Sequence, residues 1–381
     1  MARTCELTVD LDAINRNLAL VAHLAGDRAV LVAVKANAYG HGLVEVARSV
    51  EAAGAAQWLG VTTVPEAAAL RAAGISLPIL KFSITLADQL ADALAAGVAF
   101  TVGDTDAITQ LSEAAAARGV VAEVHLKIDT GMRRIGAEPE DALRLARLIV
   151  HDPHLRLGGI YTHLPVSDVG SGAEFTRQQL AAFEASALDV QAHVGHVPWI
   201  HAANSGAVMS HDLGATTMVR PGIMVYGSYS GPVSSRSAAL EPVARWSSRL
   251  VFVKQVRAGE SVGYGRTWTA TQDTWVGTVA VGYGDGYSRL LSNCGRMLID
   301  GQSHPIVGRV CMDQTMIDLG PATPTARVGD EVVLMGRSRG EEITVQEIAD
   351  LMGTITYEVT CLITARVPRR HIGGVSRAST N

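Results

Sequence analysis

Short apolar runs alternate with alanine- and leucine-rich segments of helical periodicity from residue 30 to about residue 226. Proline at the first helical position (Pro65, Pro139) and glycine just after the last (Gly54, Gly97) mark where helices begin and end. The predicted strands are Val30–Lys35, Trp58–Thr62, Pro78–Phe82, Val98–Val102, Ala122–Ile128, Gly158–His163, Pro198–His201 and Met218–Tyr226. Eight βα units in about 200 residues predict a (β/α)8 barrel of the TIM type, with a doubly wound open sheet as the alternative.

The pattern changes at residues 231–239, a stretch rich in serine and alanine, where we place the domain boundary. Residues 1–235 are expected to form the barrel and residues 236–381 a mostly antiparallel β domain, because the later runs are β-branched and punctuated by glycine. One helix is expected near Val345–Met352. Residues 1–10 contain a strand, Glu6–Val9, for which a place in the second domain stays open.

The bulk composition narrows the classes of protein. The net charge of −5 and the lack of a basic run argue against nucleic acid as a partner. The four cysteines are far apart and form no CxxC motif, which favours a reducing compartment over a disulfide framework. Because the chain also has no signal-like start and no apolar stretch near the ~18 residues of a membrane span, we expect a cytoplasmic protein without a membrane partner.

Polar side chains follow five of the predicted barrel strands, where the active sites of such barrels lie. Strand one ends in Lys35, and an amine there can form a Schiff base with pyridoxal 5′-phosphate (PLP). The later strand ends carry Lys127–Arg134, Thr162-His163, His201–Gly206 and Arg220–Ile223. The small residues, N–H groups and hydroxyl of the last two segments suit a phosphate better than a metal.

Several motifs resemble those of the alanine racemase family. The segment Val34–Gly42 resembles its PLP-binding signature, and further matches follow in family order from Glu6 to Ile363. They are Lys127–Arg134, Tyr161–His163, Asn204-Ser205, Met218–Gly222, Gly263–Gly265, Gly308–Asp313 and Thr356–Glu358. The resemblance implies a PLP-dependent barrel with a C-terminal β domain, assembled as a homodimer, that interconverts L- and D-alanine.

The resemblance also implies the roles of individual residues in a two-base mechanism. Lys35 holds PLP and acts on one face of the aldimine, while Tyr264 acts on the opposite face. His163 and Arg220 form a hydrogen-bonded chain behind that tyrosine, and Arg220 also faces the pyridine nitrogen. A guanidinium does not readily give up its proton, so the ring nitrogen stays largely unprotonated.

The remaining matches concern the rest of the cofactor, the substrate and the partner subunit. Arg134 orients the substrate carboxylate, and Lys127 matches a lysine that is carbamylated in some members. The residues matched to cofactor binding, mainly at the phosphate, are Tyr39, Asn204, Ser205, Gly222, Ile223 and Tyr357. Met312 and Asp313 match residues that reach the substrate in the neighbouring subunit's site, and Tyr264 does so too.

Other functions are weighed beside this one. Serine or a broad range of small amino acids is the alternative substrate, because a pocket rejects one extra hydroxyl only weakly, and Pro165 and Lys81-Phe82-Ser83 depart from the family pattern near the barrel mouth. A PLP-carrier protein or a decarboxylase of similar layout is less favoured, since residues 240–381 and Tyr264 match a racemase. No metal is expected at His193, His196 and His201, which no carboxylate or cysteine joins at helical spacing.

Overall fold

A computed structural model describes residues 4–231 and 238–374, and the chain divides into two compact units. The first unit, called here the barrel unit, contains residues 13–38 and 42–241. The second, called the β unit, contains residues 4–12, 39–41 and 242–374. The boundary predicted between residues 235 and 236 falls in the segment 232–237, outside the described residues.

The barrel unit is a closed barrel of eight parallel strands in sequence order, so the predicted (β/α)8 barrel is confirmed and the open sheet is wrong. The strands are β2 (Ala29–Ala33), β3 (Trp58–Val61), β4 (Ile79–Lys81), β5 (Ala99–Val102), β6 (Ala122–Lys127), β7 (Leu155–Tyr161), β8 (Trp199–His201) and β9 (Met218–Val219). The last strand is much shorter than predicted because Pro221 lacks the N–H that would extend the ladder.

Helices connect the strands, and their ends follow the capping signals of the sequence. Thr63 and Glu66 form a capping box, Asp104 caps a second helix, and Gly54 and Gly119 adopt the left-handed conformation at C-termini. The helices are α1 (Leu11–Ala25), α3 (Leu43–Ala53), α4 (Val64–Ala72), α5 (Leu90–Ala95), α6 (Thr105–Arg118), α7 (Ala142–His151), α8 (Ala173–Val194) and α9 (Ser205–Ser210); α2 (Lys35–Tyr39) is a distorted turn. One apolar cluster inside the unit joins Leu31, Trp58, Leu80, Ala99 and Met218.

The β unit is built on a nine-stranded, mostly antiparallel sheet and a two-stranded sheet. The strand β1 (Glu6–Asp10) lies in the larger sheet, antiparallel to β10 and parallel to β19. The other strands are β10 (Ala244–Val256), β11 (Ser261–Val262), β12 (Trp268–Thr269), β13 (Thr274–Val279), β14 (Arg296–Ile299), β15 (Gln302–Pro305), β16 (Thr315–Gly320), β17 (Glu331–Ser338), β18 (Glu341–Ile343) and β19 (Arg369–Ile372).

Among its described residues after 242, the β unit contains two helices rather than the single one predicted, and these are α10 (Val345–Met352) and α11 (Thr356–Leu362). The second was missed because its β-branched residues and Tyr357 do not favour a helix on their own. Within the described residues, none of the helices has the length and apolar character needed to span a lipid bilayer.

Candidate active site

Lys35 begins a left-handed turn directly after the first barrel strand. The four residues Ala36–Tyr39 all have φ of 53–54°, a conformation that costs L-residues free energy. The Asn37 side chain accepts the backbone N–H of Leu43 at 2.9 Å and so closes the turn onto the start of α3. The amine of the half-buried Lys35 lies 5.8 Å from the centre of the Phe82 ring. The turn therefore holds the lysine at the barrel mouth on a short, fixed segment.

Lys127 ends β6 and is almost fully buried, with 1% of its surface exposed. Its Nζ has no hydrogen-bond partner among the described residues. Burial and the neighbouring charge of Arg220 lower the pKa of this amine to about 7. Near neutral pH a large part of Lys127 is consequently an uncharged, nucleophilic amine.

The loop after β6 is organised by Asp129, a residue for which no role was predicted. Its carboxylate accepts the backbone N–H groups of Gly131 at 2.9 Å and Arg134 at 3.2 Å. Burial alone would raise the pKa of this carboxyl, but the backbone N–H groups of the loop lower it below its ordinary value. The ionised carboxylate thus fixes the backbone from which the exposed side chain of Arg134 extends.

His163 follows β7 and lies in a strongly positive environment. Its pKa falls well below the ordinary value because of burial and of the basic side chains nearby, which are Arg220, Lys127, Arg134 and Lys35. The imidazole is therefore neutral at physiological pH. These basic side chains come from the ends of three barrel strands, β2, β6 and β9, so an anionic group is favoured between them.

Arg220, after β9, is buried and held by three acceptors. Its Nη2 donates to the carbonyls of Thr162 at 2.7 Å and Ala202 at 3.1 Å, and its Nη1 lies 3.0 Å from Nδ1 of His201. Within the described residues it makes no hydrogen bond to His163, and the predicted chain behind Tyr264 stays a prediction. Burial lowers the pKa of Arg220 to about 10, which leaves it charged at neutral pH.

The segments after β8 and β9 meet at the hydroxyl of Ser205. This oxygen accepts the N–H groups of Gly222 at 2.9 Å and Met224 at 3.4 Å, so its own proton remains to be donated. Asn204 caps α9, accepting the N–H of Ala207 at 3.1 Å and donating to the carbonyl of Leu164 at 3.0 Å. Ser205 thus offers a hydrogen-bond donor at the start of α9. The side chain of Asn204 and the N–H of Gly222 already form hydrogen bonds within the protein.

These residues fit the PLP that the family resemblance implies. An aldehyde needs an amine, which Lys35 supplies, and a dianionic phosphate needs donors, which the Ser205 hydroxyl and the first turn of α9 supply. Arg220 has five N–H groups, and its three bonds to protein acceptors leave two for other groups. The chemistry of the donors therefore matches an anionic, aromatic aldehyde.

The β unit carries the other residues that the sequence selected. The rings of Tyr39 and Tyr357 lie 5.9 Å apart, and burial raises the pKa of Tyr39. Tyr264 is 72% exposed and Met312 is 53% exposed. Asp313 is also exposed and forms an ion pair with Arg366 at 2.8 Å.

Two buried histidines of the barrel interior were not given their present role by the sequence. His201, one of the three histidines at which no metal is expected, stacks on Tyr161 with ring centres 4.8 Å apart. His125 lies two residues before Lys127 on β6, and its Nδ1 is 2.8 Å from Nε2 of His201. The sequence did contain a signal for a polar face inside the barrel. Glu123, His125 and Lys127 alternate along β6, and alternate residues of a strand share one face.

The comparisons with known proteins agree along the whole chain. Residues 9–230 match the model of the alanine racemase N-terminal domain, and residues 243–371 match that of the C-terminal domain. The alanine racemase of Cutibacterium acnes is 49% identical over 365 residues, covering 96% of this chain and 97% of its own. That of Symbiobacterium thermophilum is 42% identical over 366 residues, covering 96% of both chains.

Solved structures are also similar to this chain over nearly its whole length. The alanine racemase from a D-cycloserine-producing Streptomyces lavendulae superimposes with a TM-score of 0.91 at 32% identity, covering 98% of both chains. The alanine racemase of Streptomyces coelicolor A3(2) gives a TM-score of 0.89 at 33% identity, covering 97% of this chain and 98% of its own.

Proposed function

This chain belongs to the alanine racemase family, and from that premise we propose how its residues interconvert L- and D-alanine with PLP. The family is PLP-dependent, and its members racemise alanine. The observation that carries the proposal is the convergence of Lys35, Lys127, Arg134 and Arg220 around one neutral imidazole at the C-terminal ends of the barrel strands. Such a site suits a phosphorylated cofactor and an amino-acid carboxylate.

Bound PLP supplies an aldehyde that condenses with an amine and a ring that acidifies the α-proton of the attached amino acid. We assign the amine to Lys35 and the phosphate donors to Ser205 and the first turn of α9. The roles of Asn204, Gly222, Ile223, Tyr39 and Tyr357 at the phosphate stay predictions. Arg220 is assigned to the ring nitrogen, where a charged guanidinium donates a hydrogen bond without transferring its proton.

Inversion at the α-carbon requires one group that removes a proton and a second group that delivers one from the opposite face. We propose Lys35 Nζ and the Tyr264 hydroxyl for these two positions. The left-handed turn holds Lys35 in place, which supports its use as a fixed base. Tyr264 is well exposed on the β unit, so its hydroxyl is available to a second molecule.

Arg134 and Lys127 are assigned to the substrate side of the site. Arg134 is exposed on a loop held by Asp129 and is suited to bind the substrate carboxylate. Lys127 is assigned as a carbamylated lysine, since carbamate formation needs an uncharged amine and its pKa of about 7 provides one. The resulting anion would neutralise part of the positive charge from Arg134 and Arg220.

We further propose a homodimer in which Tyr264, Met312 and Asp313 of one copy complete the barrel site of the other. The exposure of Tyr264 and Met312 leaves both side chains available for contact with a second copy. The test mixes Lys35→Ala and Tyr264→Phe proteins under conditions of subunit exchange. About a quarter of wild-type activity should return, because mixed dimers hold one intact site. Mixing Lys35→Ala with the double variant is the control, and equal activity in both mixtures would refute the shared site.

Alanine rather than serine is the substrate that the named relatives favour. The direct test incubates the PLP-loaded protein with L-alanine, and separately with L-serine, in D2O. Proton NMR should show loss of the α-proton signal, and a chiral column should show D-alanine formed much faster than D-serine. Bound PLP with no α-proton exchange on either amino acid would contradict the assignment. The cytoplasmic location stays a prediction.

A further inference from the structure

A row of polar groups, buried except at the partly exposed Glu123, runs through the barrel interior from Arg220 towards the N-terminal ends of the strands. Nη1 of Arg220 lies 3.0 Å from Nδ1 of His201, and Nε2 of His201 lies 2.8 Å from Nδ1 of His125. Nε2 of His125 then lies 3.8 Å from the carboxylate of Glu123. Both imidazoles are fully buried. We call Arg220, His201, His125 and Glu123 the interior chain.

We propose that His201 and His125 are positioning residues that hold the Arg220 guanidinium in its catalytic orientation through a fixed order of tautomers. The inference rests on the proposed function of Arg220 at the cofactor ring. Neither histidine is assigned to touch substrate or cofactor.

The order of tautomers follows from Arg220. A guanidinium has donors and no acceptor, so Nδ1 of His201 must accept and the proton of a neutral His201 must lie on Nε2. That proton is donated to Nδ1 of His125, whose own proton then lies on Nε2 and faces Glu123. The reverse order would place two N–H groups against each other at Arg220.

The charges around the two rings keep both of them neutral. The pKa of His201 lies well below its ordinary value because of burial and of the nearby Arg220, His125 and Lys127. The ring of Tyr161 stacks on the imidazole of His201. Burial lowers the pKa of His125 more than the nearby carboxylate of Glu123 raises it. Two neutral rings are consistent with the single direction of donation.

The backbone of β7 makes room for this arrangement. A Cβ added at Gly159 would lie 2.5 Å from Nδ1 of His125, and one added at Gly158 would lie 2.3 Å from the Glu123 carboxylate. Two successive glycines in a buried strand are costly for its stability. Here they leave the space in which Glu123 and His125 reach the barrel interior.

The closing experiment uses the PLP-loaded protein labelled with 15N-histidine, with signals assigned from single variants. His125 and His201 should both appear as neutral rings protonated on Nε2, unchanged between about pH 5 and about pH 8, the range in which an ordinary histidine titrates. A ring protonated on Nδ1, or on both nitrogens, would overturn the proposal. This result does not depend on turnover, so it is separable from a failure of the racemase assignment.

A pair of variants separates positioning from packing. His201→Asn keeps an acceptor for Arg220, whereas His201→Leu fills the site without one, and His304→Asn removes a buried histidine of the β unit as a control. Positioning predicts that kcat falls roughly 10- to 100-fold more in the leucine variant than in the asparagine variant. A packing role predicts the opposite order, and that order would overturn the proposal.

Discussion

The amine of Lys127 lies 5.1 Å from the centre of the Tyr161 ring. No hydrogen-bond acceptor reaches this amine from the described residues. A buried ammonium without an acceptor is costly, and this is why burial, together with Arg220, lowers its pKa to about 7.

Lys127→Met should stabilise the protein most at low pH. Above about pH 7 the folded chain loses this proton, while the unfolded chain keeps it until about pH 10.4. The free energy of unfolding of the wild type therefore rises with pH across that window, and the penalty is complete below it. Urea unfolding in CO2-free buffer at about pH 6 and about pH 9.5 measures the difference.

Lys81→Met is the matched control for a buried lysine. Nζ of Lys81 donates to the carbonyls of Ser83 and Ile84 and to the Ser83 hydroxyl, so its removal should destabilise the protein at both pH values. If Lys127→Met lowered the free energy of unfolding at both pH values as Lys81→Met does, the claim that the Lys127 amine lacks a hydrogen-bond partner would be contradicted.

Ala36→Gly should raise the free energy of unfolding by roughly 0.5–1 kcal/mol. An alanine at φ 53° destabilises the fold by about 1–2 kcal/mol, and glycine removes that strain. Glycine also loses more backbone entropy on folding, which offsets about 0.5–1 kcal/mol of the gain. Ala52→Gly in the exposed part of α3 is the control, expected to cost about 1 kcal/mol. Thermal and urea unfolding compare the two; equal losses would show that the left-handed turn stores no strain.

Ser205→Ala should weaken PLP binding by roughly tenfold or more, because it removes a donor and leaves the N–H groups of Gly222 and Met224 without their acceptor. Ser210→Ala, at the exposed end of the same helix, is the control. Equilibrium dialysis against PLP measures both constants. Identical PLP dissociation constants for the two variants would contradict the assignment of Ser205 to the phosphate.

The architecture was largely predictable, because a buried parallel strand needs a continuous apolar run and several barrel strands, such as β2 and β3, have one. The left-handed turn at Ala36–Tyr39 was not, since alanine and tyrosine have no preference for positive φ. Tertiary contacts impose that conformation, and the sequence indicated only a break after Lys35.

The site was predictable where function requires a particular residue type at a strand end, as with Lys35 and Arg220. The interior chain was not, because His125 and His201 are 76 positions apart and only barrel closure brings them together. The pKa of Lys127 depends likewise on burial, which the residue type alone does not reveal.

The central claim is that Lys35 and Tyr264 act on opposite faces of the α-carbon, and α-proton exchange by Tyr264→Phe in D2O tests it most directly. Tyr229→Phe is the control, since that hydroxyl donates to the carbonyl of Ala238 and accepts the N–H of Leu240. The account predicts that Tyr264→Phe keeps PLP and loses racemisation. It should still exchange the α-proton of one alanine enantiomer through Lys35, with retention of configuration. Undiminished racemisation, or equal exchange of both enantiomers, would contradict the two-base mechanism.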